Sequence, residues 1–337
     1  MNVDAVTAAL PGTTDSATAE ANPNIALIKY WGKANAALNL PVTGSLSLTL
    51  DTAPTRTTVA LDPALQADEL VLGGVAQQGR PLERVRVFLD LVRAASGRTE
   101  HALVDSTNLI PTGAGLASSA SAFAALAAAA SAAFGLDLDD RALSRLARRG
   151  SGSASRSVFG GLVRWYPGDD HESYAEPVDA HGLDLAMVIA IVDAGPKSIS
   201  STEAMNRTTA TSPFYPAWAE SNPRQLAEML AAIDRADFTA VGELTESNSL
   251  RMHATMAAAW PPVRYPRAAS VALLDAAADL RAAGVEAYPT MDAGPNVKFL
   301  CRPADADRVV AMLSAVDPAA RFLSARSGEG VRLVAAP

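Results

Sequence analysis

Cysteine, histidine, aromatic side chains and basic charge are all scarce in this 337-residue chain, and each scarcity closes off a class of protein. The single cysteine, Cys301, rules out an intramolecular disulfide framework and suits a reducing cytoplasm. His101, His171, His181 and His253 stand apart without ligand spacing, so no zinc-type cluster is expected. Lys and Arg number 28 against 36 Asp and Glu, a net charge of −8, which disfavours nucleic acid as a partner. A small anionic ligand stays open, because a few local cations outweigh a distant negative background. Long greasy runs are missing too. The nearest candidate, residues 116–134, is mostly Ala with several Ser and reads as a buried helix, so no membrane partner is expected. The first twenty residues lack a basic n-region and an apolar h-region, and read as a flexible tail rather than a signal peptide.

Hydrophobic residues make up 49% of the chain, enough for two lobes with a core each. Short β-like runs at 24–30, 45–50, 56–61, 102–109, 160–166, 186–192 and 296–301 mix with helical periodicity. The helices are expected at 81–95, 116–134, 139–149, 201–208, 225–231, 241–259, 268–283 and 304–316. Asp139 opens one of these, Arg148 and Arg149 complement its dipole, and Gly150 stops it. The pattern predicts an α+β chain with antiparallel strands in a first lobe and a helix-rich second lobe.

The first segment with chemistry in it is PTGAGLASS, residues 111–119. Gly113 and Gly115 permit tight turns and close ligand approach, while Ser118 and Ser119 open a helix whose free N–H groups favour anions. It lacks the Gly-Lys-[Ser/Thr] ending of a Walker loop. Taken alone, it is equally an ordinary turn and cap.

Further blocks follow in order: ANPNIALIKYWGK (21–33), SLSLTL (45–50), GSGSASRSVFGG (150–161), PKSISSTEAM (196–205) and TMDAGPN (290–296). Lys29 and Lys33 are an even number of residues apart and would face one side of an extended segment, although an isolated Lys33 would more often be solvated. Arg156 sits in a Gly/Ser loop with exposed N–H groups, where a guanidinium either forks onto an anion or points to water. Asp292 precedes a Gly-Pro turn that would hold it rigidly, as a reacting carboxylate or as an Asx-turn.

Together these segments resemble the diphosphomevalonate decarboxylases of the GHMP kinase superfamily, the LASS ending with Ala117 in place of Gly being typical of that branch. The resemblance implies a GHMP kinase-like fold: an N-terminal lobe of ribosomal protein S5 domain 2-like type over 21–190, and a helix-rich ferredoxin-like C-terminal lobe over 191–337. It implies ATP with Mg²⁺, mevalonate 5-diphosphate as substrate, a cytoplasmic homodimer, and phosphorylation of the C3 hydroxyl followed by decarboxylation to isopentenyl diphosphate. By resemblance, Ser106, Asn108, Gly113, Gly115, Ser118 and Ser119 hold ATP, and Asn24, Tyr30, Lys33, Ser151, Ser153, Arg156, Ser200 and Ser201 hold the substrate. Asp292, Arg156 and Lys29 would act at the reacting end, and no residue is assigned to the metal. Thr202 stands where some bacterial relatives carry Arg, which leaves Lys197 or Arg207 to help neutralise the diphosphate. The alternatives are a mevalonate 5-phosphate decarboxylase or a mevalonate 3-kinase of the same fold.

Overall fold

The computed structural model describes residues 15–109, 118–193, 195 and 198–335. A six-stranded sheet forms the first lobe, in the order Arg332–Val334, Ser16–Ala21, Thr55–Leu61, Ala102–Asn108, Glu69–Leu72 and Val75–Ala76. Its pairings are antiparallel except that of Glu69–Leu72 with Ala102–Asn108. The helices Arg80–Ser96, Ser118–Ala133 and Asp140–Gly150 pack with it around Val59, Val104, Phe88, Leu89 and a run of buried alanines. Small side chains let the Ser118–Ala133 helix lie close to the sheet, which is why an Ala-rich segment is buried here.

A second sheet, Ala175–Val178, Leu162–Trp165, Ser45–Thr49 and Asn24–Ile28, links the lobes. Its Ile25, Leu27, Leu46 and Leu48 share one core with Leu226, Met229, Ile233 and Val241 from the helices Tyr215–Asp234 and Phe238–Ala257. The third sheet runs Ala287–Met291, Val297–Cys301, Ala186–Ile191 and Arg321–Arg326, wholly antiparallel. Along Ala186–Ile191, Met187, Ile189 and Ile191 face that linking core. Ala186, Val188 and Ala190 face a third core beneath the helices Ala268–Ala282 and Ala306–Val316. Such two-sided burial makes the strand read as one continuous apolar run.

Four expectations change. Residues 16–20 of the expected tail belong to the strand Ser16–Ala21, paired on both edges; Thr18 and Glu20 are buried, and short polar runs of this kind carry little strand signal. The lobe boundary at 190/191 falls inside Ala186–Ile191, which pairs only with C-terminal strands, while Arg332–Val334 returns to the N-terminal sheet. The helix expected at 225–231 is Tyr215–Asp234; Pro223 lies inside it, and packing of Trp218, Asn222 and Leu226 carries it past the missing N–H. Lys29 and Lys33 do not share a strand. The chain leaves Asn24–Ile28 after a bulge, and Lys33 begins another strand, Lys33–Asn35.

Between those strands Gly32 adopts φ 111°, and a Cβ there would come within 1.9 Å of the Tyr215 Oη, which donates to the Trp31 carbonyl. Gly32→Ala is expected to lower stability by about 2 kcal/mol or more through backbone strain and overpacking. A denaturant midpoint equal to that of the native chain would refute it.

Candidate active site

The centre of the site is a carboxylate held by cations from both lobes. Asp292 follows the strand Ala287–Met291 and accepts from Lys29 Nζ at 2.8 Å on Oδ1, while Lys298 Nζ lies 3.3 Å from Oδ2. Lys29 comes from the N-terminal lobe and Lys298 from the interior strand Val297–Cys301 of the other. Both lysine side chains are at most 3% exposed, whereas Asp292 keeps 29% of its side chain open. Burial alone would raise the Asp292 pKa, but Lys29 and Lys298 outweigh it and hold the carboxyl well below the usual range. Burial draws Lys29 down to about 8 against the opposing pull of Asp292.

Lys29 itself is pinned by a buried amide network. Its N–H donates to Asn248 Oδ1 at 2.8 Å, and Asn248 Nδ2 donates to Asn222 and Gln225. Asn222 in turn donates to Thr43 and the Gly44 carbonyl, so the network crosses between the lobes. On the Asp292 side, Met291 exchanges hydrogen bonds with Ser249.

Arg156 lies in a 3-10 helix, Gly152–Val158, and not in an open loop. It is 2% exposed and donates to Asn24 Oδ1, Ser47 Oγ and Ser45 Oγ at 3.2, 3.0 and 2.6 Å. These are neutral acceptors, and Arg156 makes no ion pair among the described residues. Burial lowers its pKa to about 10, with the charge of Asp292 acting the other way. A buried guanidinium bound only by neutral groups is prepared for an incoming anion. The Ser45–Thr49 strand thus supplies two hydroxyls that the sequence reading did not single out.

Tyr30 packs edge-on against Trp165, and its buried Oη has no hydrogen-bond partner among the described residues. Its hydroxyl would lie 3.0 Å from a Cβ at Gly152, so that glycine leaves the room into which Tyr30 reaches. Asn24 joins the group, donating to Ser157 Oγ and the Ser153 carbonyl. Ser151 Oγ lies 3.5 Å from Ser153 Oγ and 3.4 Å from Ser119 Oγ, which brings the expected substrate loop to the start of the Ser118–Ala133 helix. Lys33 stands apart from Lys29, donating to Asn39 at 2.7 Å and reaching Thr202 at 3.5 Å. Burial lowers its pKa, as does nearby Arg84.

The other expected residues are placed unevenly. Ser106 bonds Thr57 across the sheet, and Asn108 accepts from Thr55, which also bonds Ser121; a hydroxyl ladder therefore runs from the strand to the helix. Ser200 caps the helix Ser201–Thr211 by accepting from the Glu203 N–H, so its hydroxyl already has a structural task. Arg207 pairs with Glu203 on its own helix. Gly113, Gly115 and Lys197 lie outside the described residues, as does the side chain of Ser118. No group of three His, Cys, Asp or Glu is placed to hold a metal among the described residues.

Removing the negative charge tests the central cluster. Asp292→Asn leaves two buried lysines without a counter-charge and is expected to cost about 3–5 kcal/mol near neutral pH. Lys29 then falls further below about 8 in the folded chain, while the unfolded chain keeps its proton to about 10. Below about 8 the folded native chain keeps the Lys29 proton that the folded variant has already released, so the deficit should shrink as pH rises towards about 8 and level off above it. Urea melts at several pH values measure it; a deficit independent of pH would count against the cluster.

Comparison with known proteins converges on one family. A diphosphomevalonate decarboxylase-like N-terminal domain matches residues 21–175, and a mevalonate 5-diphosphate decarboxylase C-terminal domain matches 187–331. The diphosphomevalonate decarboxylase of Aspergillus fumigatus is 39% identical over 330 residues, covering 90% of this chain and 81% of the relative. The solved complex of MDDEF with MVAPP, AMPPCP and magnesium superposes with a TM-score of 0.91 at 44% identity, over 95% of this chain and 99% of that one. Mevalonate diphosphate decarboxylase from Staphylococcus aureus gives a TM-score of 0.91 at 40% identity, over 95% and 98%. The GHMP kinase-like α+β architecture expected from the sequence is the one they share with it. With both of its lobes matched in order and its length largely covered, the chain belongs to the diphosphomevalonate decarboxylase family.

Proposed function

We propose that the chain catalyses the ATP-dependent decarboxylation of mevalonate 5-diphosphate to isopentenyl diphosphate, with release of ADP, phosphate and CO₂. The observation that carries this reading is the charge arrangement of the site: Arg156, Lys29 and Lys298 gather around the carboxylate of Asp292. That surplus of buried positive charge suits a substrate carboxylate close to a hydroxyl that Asp292 can engage. In the solved MDDEF complex, MVAPP, AMPPCP and magnesium are bound together.

Each residue then has a physical task. Asp292 accepts a hydrogen bond from the C3 hydroxyl; its depressed pKa makes it a weak base at rest, so it orients the hydroxyl rather than ionising it in advance. Arg156 forks onto the substrate carboxylate and holds the bond to be broken in line with the departing group. Phosphorylation turns the hydroxyl into a good leaving group, and positive charge develops at C3 as phosphate departs. Asp292, already ionised, stabilises that charge without reorganising. The unpartnered Tyr30 Oη, Ser151, Ser153 and Lys33 hold the diphosphate, with Ser201 at the flank of the mevalonyl chain. Ser119 at the helix start, with Ser106, Asn108 and the 111–119 loop, serves ATP. Magnesium, when bound, neutralises phosphate charge, and the described donor set of hydroxyls fits a metal carried mainly by phosphate oxygens. We infer also a cytoplasmic homodimer, to be tested by light scattering and fractionation.

Incubation with ATP, Mg²⁺ and mevalonate 5-diphosphate is expected to yield ADP and CO₂ in equal amounts. ADP without CO₂ would indicate a mevalonate 3-kinase, and a preference for mevalonate 5-phosphate the other alternative. Arg156→Lys keeps the charge but loses the fork, and should lower kcat by roughly a hundredfold. A rate within about twofold of native would remove Arg156 from the reacting end. Tyr30→Phe should raise the KM for the diphosphate several-fold, by roughly the worth of one hydrogen bond to a charged group, with a smaller change in kcat.

A further inference from the structure

We propose that Lys298 is a positioning residue for this reaction: it fixes one oxygen of Asp292 while Lys29 fixes the other, so that the carboxylate meets the substrate hydroxyl in a single orientation. The inference rests on the function proposed above and adds a residue outside the sequence blocks that suggested that function.

Lys298 occupies an interior strand, paired with Thr290 on one side and Ile189 on the other. Its neighbours Val297 and Phe299 are fully buried in the core beneath the sheet, and alternation along the strand turns Lys298 to the opposite face. A buried ammonium is costly unless it is paired. Asp292 is its anionic partner among the described residues, at 3.3 Å, and Lys298 is 2% exposed. The amine is therefore committed to that one carboxylate.

A single contact would leave the carboxylate turning about its terminal torsion, which has a broad, roughly two-fold profile for Asp. Lys29 alone, at 2.8 Å on Oδ1, supplies that one contact. Lys298 on Oδ2 adds the second and fixes the carboxylate plane. Because the two lysines come from different lobes, the fixed plane is also referred to both halves of the site. The two cations further oppose protonation of Asp292, so it remains an anion when the substrate arrives.

Lys298→Met and Lys298→Arg in the full chain test this. The first should lower kcat on the order of tenfold or more while KM for the diphosphate changes less than about threefold, and Arg should restore most of the rate. In parallel, the Asp292 carboxyl carbon, assigned by its loss in Asp292→Asn, is titrated by ¹³C NMR. With one cation removed, its titration should move up towards the ordinary carboxylate range, and the acid limb of kcat should follow. Native kcat in Lys298→Met, or an unmoved Asp292 titration, overturns the proposal. Should Lys298→Met fail to fold, Lys298→Gln is measured instead with the same outcomes. If the native chain releases no CO₂, the functional reading fails on that assay alone, and the NMR titration still decides whether Lys298 governs Asp292.

Discussion

The contact on which the rest of the site depends is the bridge from Lys29 through Asp292 to Lys298. Its ends belong to different lobes, and the shared core of Ile25, Leu27, Leu46, Leu48, Leu226, Met229 and Ile233 keeps those lobes in fixed register. Apolar burial supplies the driving force for that seam, while the charged bridge and the Asn222–Asn248 amides select one alignment. A slip of the lobes would strand buried cations and amides, each costly to leave unpaired.

The cationic pocket lies in a chain whose net charge is −8. Local arrangement resolves the apparent conflict: Arg156, Lys29 and Lys298 are concentrated in low-dielectric surroundings, where a nearby anion feels them far more than the solvated surface acids. Holding Arg156 on the hydroxyls of Ser45 and Ser47, with no ion pair among the described residues, keeps its charge available to a ligand. The same design explains why neutral serines and asparagines, rather than acids, line this part of the site.

Secondary structure was legible where periodicity was strong. The Arg80–Ser96 helix, with Leu82, Val85, Phe88, Leu89 and Val92 on its buried face, matched the apolar spacing. The strands Arg321–Arg326 and Ala287–Met291 carry little sequence signal, the first because its exposed polar residues give a weak pattern, the second because Pro289 interrupts it. Arg148 reads as a dipole-complementing surface residue, yet it is buried and ties the Leu38 and Ser173 carbonyls and Asp170 together. A one-dimensional pattern does not reveal that a long cation will find partners in two distant segments.

By itself the sequence determined the family and the two-lobed α+β class, and it marked candidates for the reacting end, because each sits in a contiguous block whose types and spacing can be read along the chain. Asn24, Lys29, Arg156 and Asp292 were identifiable in this way, and the structure brings their blocks together. Only the tertiary structure decided what each residue touches. Lys298, Asn248, Ser45 and Ser47 acquire their significance from contacts across 6 to 219 residues of separation, and Lys33 proved to belong to a different part of the site from Lys29. Charge pairing and burial are properties of positions in space, and the lobe seam that sets those positions is written in apolar residues spread across the whole chain.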